Sequence, residues 1–448
     1  MSRMRTLLLA TAVVGVAACS DDAVQPDVNS TPELSARGLR VSTGPEQVMP
    51  GEVIVKVRAG TDVAALGRAH GLAVSGRGYK DAFVVMKGAV GAERSAAAAL
   101  KKDARVVYAE PNYLRQPTAI NPNLWAFFNP GGLSMNFTTG RSKGLPLPAS
   151  YASLADADED NVEGYAAGGA KVVIGSIDTG VDLDHPELLG RTIAGKDWYN
   201  NDDDPSDDDG HGTHTSGTMA GTNVGVAGVS GAAANVKVYV QKVCGRRGCP
   251  TSMTANAIRA AADFNETNGL TDGPMVAVNV SIGGASQSQV ETDAIAYALT
   301  KQVLVIASAG NAGTGTVDCP ACDVNAISVA ATNWRDELSY YTNFGPGLDI
   351  AAPGGACYSN ATPEGCIYSS YLDGGYEWLQ GTSMAAPQVT GTAAIVASNV
   401  SATRGNAAAL RERLESTADD KGAAGYDTQF GNGRLNSYTA VKGRALRE

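Results

Sequence analysis

The sequence predicts an α/β protein in which a large domain with a doubly wound, mostly parallel sheet follows a small α+β domain. Between residues 122 and 445, apolar runs of strand length alternate with helical segments, among them KVVIGSID, VKVYVQKV, MVAVNVSIG and VLVIASAG. Such runs, separated by helices, are typical of buried parallel strands. Between residues 48 and 118, shorter runs predict the order β-α-β-β-α-β, which is the split βαβ arrangement.

The small domain begins with the strand GEVIVKVR, and DVAALGRAHGL then has the spacing of a short amphipathic helix. VSGRGY and AFVVMKG predict two further strands, AERSAAAALKKD a second helix, and ARVVYAEPNY a final strand. This order predicts a ferredoxin-like domain. A domain of roughly 70 residues is small for independent stability.

In the large domain, the predicted helices are SMTANAIRAAADFNE, SQVETDAIAYALTKQ, residues 383–398 and AAALRERLESTA. Ligands of doubly wound folds bind at the carboxyl ends of the strands. Polar residues that directly follow a predicted strand are therefore candidates for a functional site. Asp178 and Asn311 both occupy such positions.

Residues 1–19 have the pattern of an export signal. Arg3 and Arg5 precede an apolar run that is too short to span a bilayer stably. The following VAAC, which ends at Cys19, resembles the bacterial lipobox, whose cysteine becomes the lipidated first residue; the alternative is an ordinary signal peptide with a chance cysteine. Residues 20–47 are polar and poor in aromatics, so they predict a linker. We therefore expect an exported protein whose precursor touches a membrane only through this lipid.

The charge and the cysteine content further limit which classes of protein fit the sequence. The formal net charge of −11 argues against nucleic acid as a partner. Export into an oxidising environment favours disulfides, and the six cysteines other than Cys19 allow 15 pairings. Local pairing is favoured because each close pair brackets a short loop rich in Gly or Pro, although CPAC also fits a redox or metal motif. The close pairs are Cys244 and Cys249, Cys319 and Cys322, and Cys357 and Cys366.

Three motifs suggest catalysis when they are taken together. IDTGVDLDHPEL has Asp178 just after a buried strand, DGHGTHTSG has His211 at the start of a helix, and LQGTSMAAPQVTG has Ser383 at the start of another. Each alone has an ordinary explanation, such as a helix cap or the packing of small residues. In the order Asp, His, Ser they resemble the subtilisin-type serine peptidases, the subtilase family, for which this order is known.

The resemblance implies a mechanism through an acyl-enzyme. His211 would accept the proton of Ser383, Asp178 would orient the imidazole, and no catalytic metal is needed. Asn311, in VLVIASAGNAG, matches the asparagine that donates its amide to the oxyanion in this family. The alternative for Asn311 is a turn residue after a strand.

The resemblance also implies a groove in which a protein or peptide substrate adds as an antiparallel strand. The implied contacts are Ser281, Ile282 and Gly283 on one edge, Gly248 in CGRRGCPTS on the other, and Gly310 in the wall of the S1 pocket. Asp318, just before CPAC, matches a position at the base of S1. A carboxylate there would favour a basic P1 residue.

An acidic run lies just before His211. Six aspartates occupy the eight positions from Asp202 to Asp209. The run resembles a calcium-binding loop of thermitase-like subtilases, and closely spaced oxygen ligands suit Ca²⁺. The implied ligands of this structural Ca²⁺ are Asp197, Asn200, Asp202 and Asp204, with Asp207 as a further candidate. The alternative is a solvated acidic loop, which would raise the pKa of His211.

Residues 48–118 resemble the inhibitor-type prodomain of the subtilases, and VVYAEPNY matches its last strand. The resemblance implies a zymogen whose tail, LRQPTAIN, lies in the active site and is cut between Tyr113 and Asn121. Because Cys19 lies on the prodomain side, the cut would free a mature enzyme, which we expect to be monomeric and extracellular or periplasmic.

Two other classes of protein fit parts of the sequence. One is a catalytically inactive, calcium-binding surface lipoprotein that uses the groove only for binding, against which the complete set of motif residues argues. The other is an esterase, but those enzymes commonly have the order Ser, Asp, His, whereas the motif residues here follow the order Asp, His, Ser.

Overall fold

The computed structural model describes residues 48–117, 169–222, 228–230, 235–333, 335–357 and 365–442. The predicted signal segment with Cys19, the linker and the end of the predicted cleavage interval lie outside these residues. Among the described helices, none combines the length and apolar character that a bilayer crossing requires.

The small domain has the predicted β-α-β-β-α-β order. Its elements are β1 (Val48–Val57), α1 (Val63–Ala69), β2 (Ala73–Arg77), β3 (Val84–Lys87), α2 (Glu93–Leu100) and β4 (Val106–Pro117). The strands form an antiparallel sheet in the order β4-β1-β3-β2. Helix α1 begins after Asp62, whose carboxylate accepts the backbone N–H of Ala65 at 3.0 Å, as an N-cap residue does. The ferredoxin-like fold is thus confirmed.

The large domain is built on seven parallel strands in the order β13-β12-β11-β9-β5-β7-β6. The strands that follow β4 are β5 (Val172–Asp178), β6 (Thr192–Asp197), β7 (Val236–Lys242), β8 (Cys249–Pro250), β9 (Met275–Val280), β10 (Ile282–Gly283), β11 (Leu304–Ser308), β12 (Ala326–Thr332), β13 (Ile350–Pro353), β14 (Ile367–Ser370) and β15 (Tyr376–Leu379). The last two form a separate antiparallel hairpin.

Helices cover both faces of this sheet, as predicted for a doubly wound domain. They are α3 (His211–Ala220), α4 (Thr251–Ala262), α5 (Phe264–Thr267), α6 (Gln289–Thr300), α7 (Thr382–Asn399), α8 (Ala407–Ser416) and α9 (Ser437–Lys442). Ile174 of the central strand β5 packs in the core with α3, α7, α8 and α9. Val173 and Ile177 point to the opposite face and pack with α4 and α6.

The structure differs from the predicted elements in two places that matter for the site. The run MVAVNVSIG is two strands, because the chain leaves the sheet at Ser281 and β10 pairs with β4 instead. Strand β4 continues four residues beyond the predicted end at Tyr113, to Pro117. Both differences have one cause: the end of β4 lies between two short strands of the large domain.

The small domain packs its sheet against α4 and α6. Ile54 and Phe83 share a buried core with Ile258 of α4 and Ile295 of α6. Ion pairs join Lys56 to Asp293 and Lys80 to Asp263 at the margin of this contact.

Strand β4 also supplies the caps of both helices. Glu110 accepts the backbone N–H groups of Gln289 and Val290 at 2.7 and 3.0 Å. Asn112 accepts the backbone N–H of Ser252 at 3.1 Å and donates to its hydroxyl at 2.8 Å. The N-cap residues of α4 and α6 make no side-chain cap bond of their own. The first N–H groups of a helix need partners, and these two helices obtain them from the small domain.

Candidate active site

The carboxyl end of β5 and the first residue of α3 bring Asp178 and His211 together. Oδ1 of Asp178 lies 2.6 Å from Nδ1 of His211, and both side chains are buried. The same oxygen accepts the backbone N–H of Thr179 at 2.7 Å, and Oδ2 accepts the hydroxyl of Thr215 at 3.3 Å. With each carboxylate oxygen so engaged, Asp178 has a defined orientation toward the imidazole.

A close approach at Gly212 allows this contact. A Cβ at this position would lie 2.0 Å from the carbonyl oxygen of Gly180 and 3.0 Å from Cβ of Asp178. Any side chain would push α3 away from the end of β5. Gly212 was not predicted as a site residue, although the glycine within DGHGTH is a signal of such an approach.

Asp207 holds the start of α3 in place. Oδ2 accepts the backbone N–H and the hydroxyl of Thr213 at 2.9 and 2.6 Å. Oδ1 accepts the backbone N–H of Gly210 at 3.0 Å and the hydroxyl of Thr179 at 2.8 Å. Asp207, a candidate metal ligand in the sequence, therefore acts as a cap of the helix that carries His211.

The acidic surroundings alter the titration of His211. Burial by itself lowers the pKa of the imidazole, but the carboxylates of Asp178, Asp209 and Asp207 outweigh it and raise this pKa above its usual value. Burial raises the pKa of Asp209 to about 6. His214 is also buried, and it differs because no carboxylate offsets the desolvation, so its pKa falls to about 3.

Ser383 lies in the first turn of α7, and its side chain is buried. Its hydroxyl donates to the carbonyl of Ser281 at 3.0 Å, and the hydroxyl of Ser281 donates to the carbonyl of Ser383 at 2.9 Å. Nε2 of His211 is buried and has no hydrogen-bond partner among the described residues.

Asn311 has an orientation that its neighbours dictate. Its Oδ1 accepts the backbone N–H of Thr382 at 2.9 Å and the hydroxyl of the same residue at 3.0 Å. Because a backbone N–H can only donate, the oxygen must face Thr382, and the Nδ2 group faces the opposite way.

Strand β4 lies between β8 and β10 as the central strand of a short antiparallel sheet. Gln116 pairs with Gly283 and Pro117 with Ile282, while Leu114 and Arg115 pair with Pro250 and Cys249. These two edges are the ones at which a substrate strand was expected.

Gly248 lies directly before this pairing, within the edge from Gly245 to Thr251. It turns the chain back onto Gly245, with which it exchanges two backbone hydrogen bonds at 2.8 and 3.2 Å. The residues that pair with β4 are Cys249 and Pro250. The turn needs Gly248 because its φ of 99° is a left-handed conformation.

Asp318 lies against Gly310. A Cβ on Gly310 would lie 2.4 Å from Oδ2 of Asp318, and the backbone N–H of Asp318 donates to Ala309 at 2.8 Å. The half-buried carboxylate thus lies beside the glycine that was expected to line the S1 pocket.

Three local disulfides are present. The bonded pairs are Cys244–Cys249, Cys319–Cys322 and Cys357–Cys366, with Cα separations of 4.1, 4.6 and 5.3 Å. The first ties the turn at Gly248 to β8, and the second follows Asp318 directly. Both therefore brace segments that line the groove.

The four expected calcium ligands lie in one segment that begins at the end of β6, where the three aspartates accept hydrogen bonds and Asn200 donates one. Asp197 accepts the backbone N–H and the side-chain amide of Asn200, each at 2.8 Å. Asp202 accepts the N–H of Asp204 at 3.0 Å, and Asp204 accepts the hydroxyl of Ser206 at 2.5 Å. In the described part of the chain, no three His, Cys, Asp or Glu side chains are grouped as metal ligands would be.

Two lysines offset part of the charge of the acidic run. The ammonium of Lys242 is buried against Asp208 and also donates to the carbonyl of Thr179. Lys196 lies 3.1 Å from Asp203. The positive charge near the aspartates is therefore supplied at least in part by the chain itself.

Comparison with known proteins agrees with this geometry. The profile of the subtilase family matches residues 169–433, and that of the fervidolysin N-terminal prodomain matches residues 37–112. The chain is similar to a thermophilic serine proteinase of Bacillus sp. (strain AK1), with 33% identity over 90% of each chain. It is also similar to thermitase of Thermoactinomyces vulgaris, with 36% identity over 61% of this chain and 89% of the relative.

Among solved structures, the fold is similar to that of fervidolysin from Fervidobacterium pennivorans, with a TM-score of 0.68 and 24% identity. That match covers 94% of this chain, which spans 65% of the length of fervidolysin. The profile match over the large domain and the relative aligned along most of the chain lead to the same conclusion: this chain belongs to the subtilase family of serine endopeptidases and carries an N-terminal prodomain.

Proposed function

We propose that this protein is an exported serine endopeptidase that cleaves peptide bonds with Asp178, His211 and Ser383 and matures by self-cleavage. The observation that carries the proposal is the buried contact of 2.6 Å between Nδ1 of His211 and Oδ1 of Asp178. A histidine so held has a defined tautomer, which a general base requires.

The first chemical step is attack by Ser383. Asp178 accepts a hydrogen bond from Nδ1–H of His211, so Nε2 carries the lone pair that takes the proton from the hydroxyl of Ser383. The serine oxygen then forms a bond to the carbonyl carbon of the substrate. The imidazolium is stabilised by the adjacent carboxylate, which stays ionised.

Breakdown of the tetrahedral intermediate completes acylation. Nδ2 of Asn311, directed away from Thr382, donates to the oxyanion together with backbone N–H groups at the start of α7. One such side-chain donor contributes roughly 3 kcal/mol to the stabilisation of the transition state. The C–N bond breaks, His211 gives its proton to the leaving amine, and water repeats the sequence on the acyl-enzyme.

The prodomain acts as an inhibitor held in the groove. Its strand β4 forms the main-chain pairs of a substrate with β8 and β10. Gln116 and Pro117 pair with Gly283 and Ile282, and the residue before Ile282 is Ser281, whose carbonyl accepts the hydroxyl of Ser383. We infer that the bond after Thr118 is cut during maturation.

Lipidation at Cys19 makes this cut a release step. The lipid would hold the precursor at the cell envelope, and cleavage would leave the prodomain on the membrane side. The mature domain would then act outside the cytoplasm on protein or peptide substrates.

Replacing Ser383 with alanine is expected to block maturation. The S383A chain should accumulate at full length in the membrane fraction, whereas the wild-type mature enzyme should begin at Ala119 by mass spectrometry. Adding Cys19→Ser to S383A is the matched control, since it should release the full-length chain from the membrane. Normal maturation of S383A would show that another protease makes the cut.

The acidic surroundings of His211 predict a shifted pH profile. Protonated His211 cannot act as a base, so kcat/KM should fall as the pH drops through its pKa, which is raised above the usual value of about 6.5. Asp209→Asn removes one of the charges that raise this pKa, so the acidic limb should move to lower pH. Asp203→Asn changes an exposed carboxylate that pairs with Lys196 and should leave the limb in place. An unmoved limb in D209N would contradict the electrostatic explanation.

Asp318 predicts a preference for basic P1 residues, since its carboxylate lies beside Gly310. Wild-type enzyme should cleave peptides with Lys or Arg at P1 faster than matched peptides with Phe or Leu. Asp318→Ser should reduce that ratio, as measured by kcat/KM for both sets. The idea fails if the ratio is the same in the two enzymes.

We also propose that Ca²⁺ binds and stabilises the segment from Asp197 to Asp204, because this segment brings several side-chain oxygen atoms close together. Binding would have to displace the hydrogen bond between the Asn200 amide and Asp197. In an S383A background, thermal unfolding should shift upward with Ca²⁺, by an equivalent of about 2.7 kcal/mol at a free concentration about 100 times Kd. Asp202→Asn should weaken the effect and Asp203→Asn should not. Equal melting temperatures in Ca²⁺ and in excess EDTA would contradict the proposed metal site and indicate a turn that is held by hydrogen bonds alone.

A further inference from the structure

Arg115 brings a guanidinium into the groove, and the proposed chemistry does not use it. Its side chain is fully buried and lies against the carboxylate of Glu291 in the first turn of α6. Nη2 of Arg115 lies 2.6 Å from Oε2 of Glu291, and Nε lies 3.2 Å from the same oxygen. The carboxylate is 1% exposed.

The position of Arg115 along β4 relates it to the substrate. It pairs with Cys249 of β8, and the next residue, Gln116, pairs with Gly283 of β10. If the bond after Thr118 is the one that is cut, Arg115 is the fourth residue on the amino side, the P4 position. This assignment rests on the proposed function.

The ion pair has a consequence once the prodomain leaves. Burying a carboxylate is costly unless a cation with suitable geometry compensates it. In the precursor Arg115 meets this requirement through two of its nitrogens. In the mature enzyme, a substrate side chain can take the place of Arg115 beside Glu291.

Arginine suits this position better than lysine. Its planar guanidinium offers several donors in a fixed arrangement, whereas lysine carries a point charge on a flexible stem. A nearby acid on the same helix, Asp293, faces a different part of the prodomain, because its carboxylate lies 2.5 Å from the ammonium of Lys56.

We propose that Glu291 forms a substrate subsite that selects arginine at P4. The prodomain occupies this subsite with Arg115, and cleaved proteins would be those that present an arginine four residues before the scissile bond in an extended segment.

A peptide panel tests this with the mature enzyme obtained from the full chain. The peptides share one sequence and differ only at P4, which carries arginine, lysine, glutamate, methionine or citrulline, the last having the shape of arginine without its charge. We expect kcat/KM for arginine to exceed that for citrulline by roughly 10- to 100-fold, as a charged hydrogen bond predicts. This measurement needs no variant, so a folding defect cannot obscure it.

Variants then assign the preference to one carboxylate. Glu291→Gln should bring the ratio of arginine to citrulline close to one, and Glu291→Lys should favour a P4 glutamate. Asp293→Asn, two residues along the same helix, is the matched control and should retain the wild-type ratio.

The outcomes separate this inference from the proposed function. Cleavage of all peptides at equal rates, or an unchanged ratio in E291Q, would overturn the subsite and leave the peptidase intact. Absence of cleavage together with absence of labelling by a serine-reactive fluorophosphonate would overturn the proposed function itself.

Discussion

A buried hydrogen bond between Asp178 and His211 is the constraint to which the rest of the site conforms. It requires the start of α3 to touch the end of β5, which only a glycine at position 212 permits. It also requires the helix start to be held firmly, and Asp207 does so through both carboxylate oxygens. A carboxylate and an imidazole buried together stabilise each other's charged forms, so the contact that orients His211 also raises its pKa.

Strand β4 both supports helices of the large domain and occupies the groove. Residues 110 and 112 cap two helices of the large domain, and the residues after them occupy the groove. The same docking therefore supplies N-terminal caps to α4 and α6 and blocks the site. Without β4, both helix ends and Glu291 would lose the partners that this strand supplies, and the two edges of the groove would be open to another extended chain.

The acidic run before His211 has more than one role. Asp207 organises the helix start, Asp209 contributes to the field at the imidazole, and Asp208 pairs with the buried Lys242. Asp203 is exposed and pairs with Lys196. Neighbouring residues of one type thus differ in function because successive side chains of a turn point toward different partners.

The sequence by itself determined the two domains, their order of elements and the motifs around Asp178, His211, Ser383 and Asn311, because these depend on local hydrophobic pattern and on short segments. It did not reveal which residues between Gly245 and Thr251 pair with β4, nor the use of Asp207 as a cap. The pair of Arg115 and Glu291 lies 176 residues apart along the chain. Such a contact depends on how β4 docks between β8 and β10, which are far from it along the chain. Only the tertiary structure decides this docking, since no local sequence pattern shows which buried charges will pair.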